Sequence, residues 1–282
     1  MENKSLNSVK IISIILSFFI SFLLFITLSL TVVNQTILNV NYCISSMEKT
    51  DYYDMLSSGI ESQLKYYSAA SGFSEDVFDG TVDTKELTEN VNGSVNALYT
   101  GNKVKINTSS LEKNLRNNFI SYANNNNIVI TNDISTSIDE LVSECITTYE
   151  KYISVSILSY ISPFIIKATN IVPKIIIGLL ILIVILFAAI LMINKRKYRA
   201  IRNYIYAVSG SAMMLAALPL VYFISGKIYK IGLSFKPIYD LVVYYVNNIF
   251  IDFIKYSALL CLVVAVLSVI YCVLKKKSIE EE

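Results

Sequence analysis

Four stretches of the chain are apolar on every side. Between the first two lies a long segment where apolar residues recur only at every third or fourth position. Residues 11–47, 175–194, 203–226 and 256–274 carry no charged side chain. A helix that crosses the hydrocarbon core needs about 20 mostly apolar residues. Only helices and closed barrels satisfy their backbone groups there. The runs are continuous rather than alternating, so they predict helices, over 11–33, 171–193, 204–225 and 252–274. The predicted class is an all-α membrane protein: four transmembrane helices with a mostly helical extracytoplasmic domain between the first and second.

The intervening segment, 34–170, is polar but patterned. Tyr53, Leu56, Ile60, Leu64 and Tyr67 fall on one helical face, with Thr50 as its cap and Gly72 as its stop. Leu87, Val91, Val95 and Leu98 repeat the spacing after Asp83 and Glu86, and Gly101 ends it. Leu111, Leu115, Phe119 and Tyr122 follow Ser109–Glu112, which has the form of a capping box, and Asn124–Asn127 breaks that helix. Ile138, Leu141, Cys145, Tyr149 and Tyr152 make a fourth stripe. Four narrow stripes must bury one another, which predicts a compact helical domain. Val104–Ile106 and Ile128–Ile130 are short β-prone pieces ahead of the last two helices. Two similar strand–helix segments would fit a duplication, but ordinary capping rules generate the same likeness. Residues 152–172 are apolar but interrupted by Pro163 and Lys167. They read either as a helix along the membrane surface entering the second span at Pro173, or as a core helix of the domain continuing toward the bilayer.

Charge adds an orientation. Residues 34–170 hold sixteen acids and nine bases, a net of −7. Lys4 and Lys10, the five bases of 195–202 and Lys275–Lys277 fall on one side of four crossings. Lys227, Lys230 and Lys236 fall on the other. Lys and Arg accumulate on the cytoplasmic side, so both termini (1–10 and 275–282) and the basic loop 194–203 are expected inside. The acidic domain and an outer loop, 226–251, are expected outside. The first run is longer than a cleavable signal core and ends in bulky Leu28, Leu30, Val32 and Val33, so it reads as an uncleaved signal anchor. The expected location is the cell membrane, multi-pass.

Candidate chemistry is sparse. The chain has no His and no Trp, which removes the commonest general base and any Ser-His-Asp or Cys-His arrangement. No phosphate cradle or metal-ligand spacing is present. The reading is therefore not an enzyme, with no cofactor, no catalytic residue and no metal site. An acidic domain gives nucleic acid no basic face, so none is expected as a partner. Asp252 and Lys255, three apart at the start of the fourth span, are either a pore-mouth pair or an interfacial pair reaching water. Lys195, Arg196, Lys197, Arg199 and Arg202 have the charge to meet anionic lipid headgroups, though setting the topology is a sufficient role for them. Cys43 and Cys145 would have to be outside the cytoplasm to bond, and two separate buried thiols is the simpler alternative. Ala212 and Ala216 are small residues four apart, and Pro219 follows them. They suit close helix packing, or a hinge or subunit contact.

An apolar anchor, then "DYYDMLSSGIESQLKYY", then "VKINTSSLEKNL", then three spans: this layout resembles uncharacterised four-span integral membrane proteins of low-GC Gram-positive bacteria, of the clostridial type. The resemblance implies a cell-membrane location and no particular activity. Two roles follow. One is a non-catalytic binding, scaffold or accessory protein, whose partners are the lipid bilayer and an envelope protein, another membrane protein or a further copy of itself. The other is a transporter or channel subunit, which the lack of mid-span charge disfavours.

Overall fold

The computed structural model describes residues 2–154, 162–194, 196–230, 232 and 235–280, and every regular element in them is helical. The α-helices are α1 (Glu2–Gln35), α2 (Val40–Lys49), α3 (Tyr52–Leu64), α4 (Ser68–Ser71), α5 (Thr84–Thr100), α6 (Ser109–Asn125), α7 (Asn132–Ile153), α8 (Ser162–Ile193), α9 (Lys197–Ser225) and α10 (Lys236–Glu280). Short 3₁₀ turns occupy Lys65–Tyr67, Glu75–Phe78 and Lys227–Lys230. Four of the helices are long and apolar enough to cross a membrane: Val9–Gln35 within α1, and α8, α9 and α10. The chain divides into two compact units.

One unit comprises Val40–Ala168 with Leu233–Val242. It will be called the soluble unit, for the polarity of its surface. The apolar stripes read from the sequence form its core. Leu56, Ile60 and Leu64 of α3 meet Leu87, Val91 and Val95 of α5, Leu111, Leu115 and Phe119 of α6, and Ile138, Cys145 and Tyr149 of α7. Phe78 packs edge-on against Phe119, with ring centroids 5.6 Å apart. On α7 the buried face is turned slightly from the expected one: Val142 and Ile153 are buried, while Leu141 and Tyr152 lie at its margin.

Several local expectations are corrected. Thr50 does not cap α3. Its hydroxyl bonds back to the carbonyls of Ser46 and Met47, closing α2, and Asp51 takes a left-handed conformation at the start of α3. Ser109 and Glu112 form no capping box either. The residue before α6 is Thr108, which makes no side-chain cap. The Glu86 carboxylate of α5 accepts instead from the Ser110 N–H (3.1 Å) and the Ser109 hydroxyl (3.2 Å), so α6 is capped from another helix. The β-prone pieces make no strand: Val104–Ile106 and Ile128–Ile130 are irregular and mostly exposed. Gly101 does end α5, whereas the helix expected to run to Gly72 is broken: α3 stops at Leu64, and Gly72 ends the short α4; both glycines lie at φ 76°, in the left-handed region that glycine enters without strain.

The other unit comprises Met1–Asn39, Thr169–Gly232 and Val243–Glu282. Ile20 of α1, Ile183 and Ile190 of α8, and Ala200 and Ala207 of α9 form one cluster. Val32, Leu215 and Phe253 of α1, α9 and α10 form a second. α8 starts at Ser162 and runs unbroken through Pro173, so the second span begins earlier than residue 171. Residues 155–161 of the transition segment lie outside the described residues. α10 starts at Lys236, inside the stretch read as outer loop, so 236–251 are helical.

Candidate functional sites

In the soluble unit, polar side chains fasten the loops to the core. Asn90 of α5 acts as a surrogate peptide group. Its Oδ1 accepts from the Asn107 N–H (2.8 Å), and its Nδ2 donates to the Asn107 carbonyl (2.6 Å) and to the Tyr149 hydroxyl (3.1 Å). Asn114 and Asn118 of α6 donate to the carbonyls of Thr81 (3.1 Å) and Val77 (2.8 Å). The Tyr53 hydroxyl donates to Asn92 Oδ1 (2.6 Å). Arg116 bonds both Glu112 and Asp139, tying α6 to α7. Burial pushes the Tyr53 and Tyr149 phenols up to about 12. These groups serve structure: each is matched to a partner within the unit.

Cys43 and Cys145 are both free thiols, so the bond considered for them is not formed. Cys145 is fully buried in the core, and Cys43 lies at its edge on α2. Burial raises both thiols, that of Cys145 to about 12, which keeps it neutral and unreactive. No three acidic or cysteine side chains gather as a metal site among the described residues.

Two surface features are left over. Phe235 lies on Gly59, where an added Cβ would sit 3.1 Å from the ring, and packs edge-on against Tyr152. With Asp54, Met55, Ser58, Lys236 and Pro237 these residues border an open hollow of about 410 Å³. The second feature is Ile128-Val129-Ile130. Val129 is 78% exposed and both neighbours are also exposed, though each could be buried by a strand partner.

In the membrane unit the polar groups are inside. Ser13, Ser17, Ser21 and Thr27 of α1 are buried, as are Thr36 just after it, Asn194, Asn203 and Ser211. Asn194 donates to the Ser13 hydroxyl at 3.0 Å. Gly210 of α9 sits against Ser21, where an added Cβ would come within 2.5 Å of the hydroxyl. Ser257 of α10 donates to the Ala212 carbonyl (2.9 Å). Asn203 Oδ1 and Ser211 Oγ are buried without a hydrogen-bond partner. Sequence reasoning missed this seam because it looked for charges. The usable signal was the four-residue repeat Ser13, Ser17, Ser21 in an otherwise bulky helix. Ala212 and Ala216 lie beside an apolar groove of about 280 Å³ with Ser257 and Cys261.

Asp252 and Lys255 are joined to each other, Lys255 Nζ donating to Asp252 at 2.7 Å on one face of α10. Lys195 lies outside the described residues. Arg196, Lys197, Arg199 and Arg202 cluster at the start of α9, and Arg202 Nε is sheltered without an acceptor.

The fold and these sites define a class: a helical chain with four helices able to cross a membrane and a separately cored helical unit between the first and second. Comparison with protein-family models, curated proteins and solved structures finds no match.

Proposed function

We propose that this chain is a non-catalytic binding or accessory protein of the cell membrane. Both termini lie in the cytoplasm, and the soluble unit is presented outside to a protein partner. Ten bases against three across the alternating loops support that orientation. The observation that carries the binding role is Ile128–Ile130. The soluble unit has one apolar core, and these three consecutive β-branched residues lie exposed beside it in irregular backbone. Such a segment can lend its backbone to a partner strand. The test uses the full chain, extracted in mild detergent from its host and compared with a Val129→Lys variant. A co-purifying envelope protein that is lost from the variant is the expected result. The same set of co-purifying proteins with both forms would refute the role of this segment.

A second reading, a transport or channel subunit, is favoured by the seam of buried hydroxyls and by the unpartnered Asn203 Oδ1 and Ser211 Oγ. Three of those hydroxyls, of Ser17, Thr27 and Thr36, bond the carbonyl four residues back, and that suits packing better than conduction. Solute flux in proteoliposomes that disappears on Asn203→Leu would establish the second reading over the first.

A further inference from the structure

The first turns of α9 and the last turns of α10 are distant in sequence, but their aromatic rings meet. Tyr198 and Tyr271 have ring centroids 6.3 Å apart. Each ring carries a cation: the Arg199 guanidinium lies 5.9 Å from the Tyr198 centroid, and Lys275 Nζ lies 5.9 Å from that of Tyr271. The contact therefore links Arg199, at the start of α9, to Lys275, at the end of α10, through the two rings. Among the described residues Lys197, Arg199, Arg202 and Lys275 pair with no carboxylate, and Lys276 reaches Glu280 only at 3.9 Å. Counting from the sequence, 195–202 contributes five bases and 275–277 three, against Glu280–Glu282, which leaves a net of +5.

We propose that Arg199 and Lys275, held together by the Tyr198–Tyr271 contact, form one binding site for the headgroup phosphate of an anionic phospholipid. This rests on the reading of the chain as membrane-spanning. Charge complementarity argues for that occupant. Guanidinium groups bind phosphate oxygens in pairs, and the two tyrosines suit the depth of the headgroups. The site goes beyond an orientation signal. A diffuse positive field depends only on how many charges there are, whereas a site also needs the two clusters joined.

The test measures lipid selectivity of the full chain in nanodiscs, as the ratio of bound phosphatidylglycerol to phosphatidylcholine by native mass spectrometry. Wild type is expected to prefer phosphatidylglycerol. Arg199→Gln and Lys275→Gln should each reduce the preference roughly fivefold, corresponding to about 1 kcal/mol per basic side chain at the membrane surface. Tyr198→Leu changes no charge, yet should reduce the preference severalfold by separating the clusters. Inorganic phosphate added to neutral nanodiscs should not raise the melting temperature, which distinguishes a headgroup from free phosphate. An unchanged preference in Tyr198→Leu, alongside losses in the two charge variants, would reduce the cluster to a diffuse field and overturn the proposal. So would the absence of any wild-type preference. Should a variant not insert, crosslinking of photoactivatable phosphatidylglycerol to wild type decides: adducts on both α9 and α10 ends uphold the site, and adducts on neither refute it. Failure of the membrane reading itself is seen separately, as a wild-type chain that does not enter nanodiscs.

Discussion

The two units differ in what their surfaces carry and in how many polar side chains they bury. In the soluble unit the large apolar side chains are inside and the charges outside. In the membrane unit large apolar side chains lie on both sides: Met192, Met213 and Ile224 are each at least three-quarters exposed, while Ile20, Ile190 and Leu215 are buried beside Ser, Thr and Asn. The difference follows from the medium. Water rewards the burial of apolar area. Lipid tails are as apolar as leucine, so burying leucine in a bilayer gains little, and close approach of backbones decides instead. A rule of "apolar inside" therefore reads one unit and leaves the apolar surface of the other unexplained.

The largest effect that tests the contrast lies in the soluble core. Leu115 is fully buried on α6. Leu115→Asp puts a charge where nothing pairs with it, at a cost of the order of the unit's whole stability, about 5–15 kcal/mol. It is expected to unfold the soluble unit, detected as loss of protease resistance between α2 and α7 in the purified chain. Asn114, adjacent and off the stripe, is not a neutral control, because it donates to Thr81. Asn117 is exposed without such a bond, so Asn117→Asp should shift stability by about 0.5 kcal/mol or less. Equal losses from the two would mean that α6 does not lie on a core.

Next in size is the membrane seam. Gly210→Leu would drive a branched side chain into Ser21 and push α1 from α9, for roughly 1–3 kcal/mol. Thermal stability in detergent should fall, and Gly210→Ala should cost less, because only the Ser21 hydroxyl needs to rotate. A Gly210→Leu variant as stable as wild type would mean that α1 is an anchor alone and not part of a packed bundle.

Legibility differed between the units for the same physical reason. All four soluble stripes could be read because a helix half in water must alternate its faces. The spans could be read as spans from composition alone. Which face of each span meets its neighbours could not, since apolar residues on all sides leave no periodicity to follow. Small residues marked a face in two spans: Ala212 and Ala216 in the third, and Ser13, Ser17 and Ser21 in the first, where no charge drew attention to them. Caps failed where a tertiary contact replaced the local one: Glu86 is 23 residues from Ser109, and nothing in either segment announces the pairing. The start of α10 was lost because Lys236 and Asp240 gave a loop-like polarity to what is a paired first turn. The basic cluster at 195–202 was visible, but its junction with Lys275 depends on two tyrosines that look like ordinary interfacial anchors.

A titration separates the two units further. In the soluble unit, burial moves Cys145 from 9.0 to about 12, and Tyr53 and Tyr149 from 10.0 to about 12. The unfolded chain releases these protons first, so it binds fewer than the folded chain at alkaline pH. Stability is full below about pH 9 and is lost as pH rises from 9 toward 12. The Cys145 contribution alone is at most about 1.4 kcal/mol per pH unit. Protease resistance of the soluble unit should therefore fall steeply across that window, and Cys145→Ala should flatten the early part of the fall. A flat profile to about pH 11 would show that these groups are not buried as described.

The smallest effect is the sharpest test of the contrast, because one substitution is made in both settings. Val142 lies fully buried on α7 of the soluble unit, and Val184 is outward-facing on α8. Val142→Leu adds a methylene to a packed interior and should cost about 1–3 kcal/mol as neighbours leave their rotamers. Val184→Leu adds the same methylene where only hydrocarbon chains meet it. Lipid accommodates the extra volume, and leucine is slightly the better helix former, so its effect should be within about 0.5 kcal/mol of zero. Melting of the full chain in nanodiscs, followed through protease cleavage in each unit, reads both. If Val184→Leu costs as much as Val142→Leu, then α8 is covered at that point by another helix. The covering helix would have to come from a second copy or a membrane partner, since within the chain that face is open.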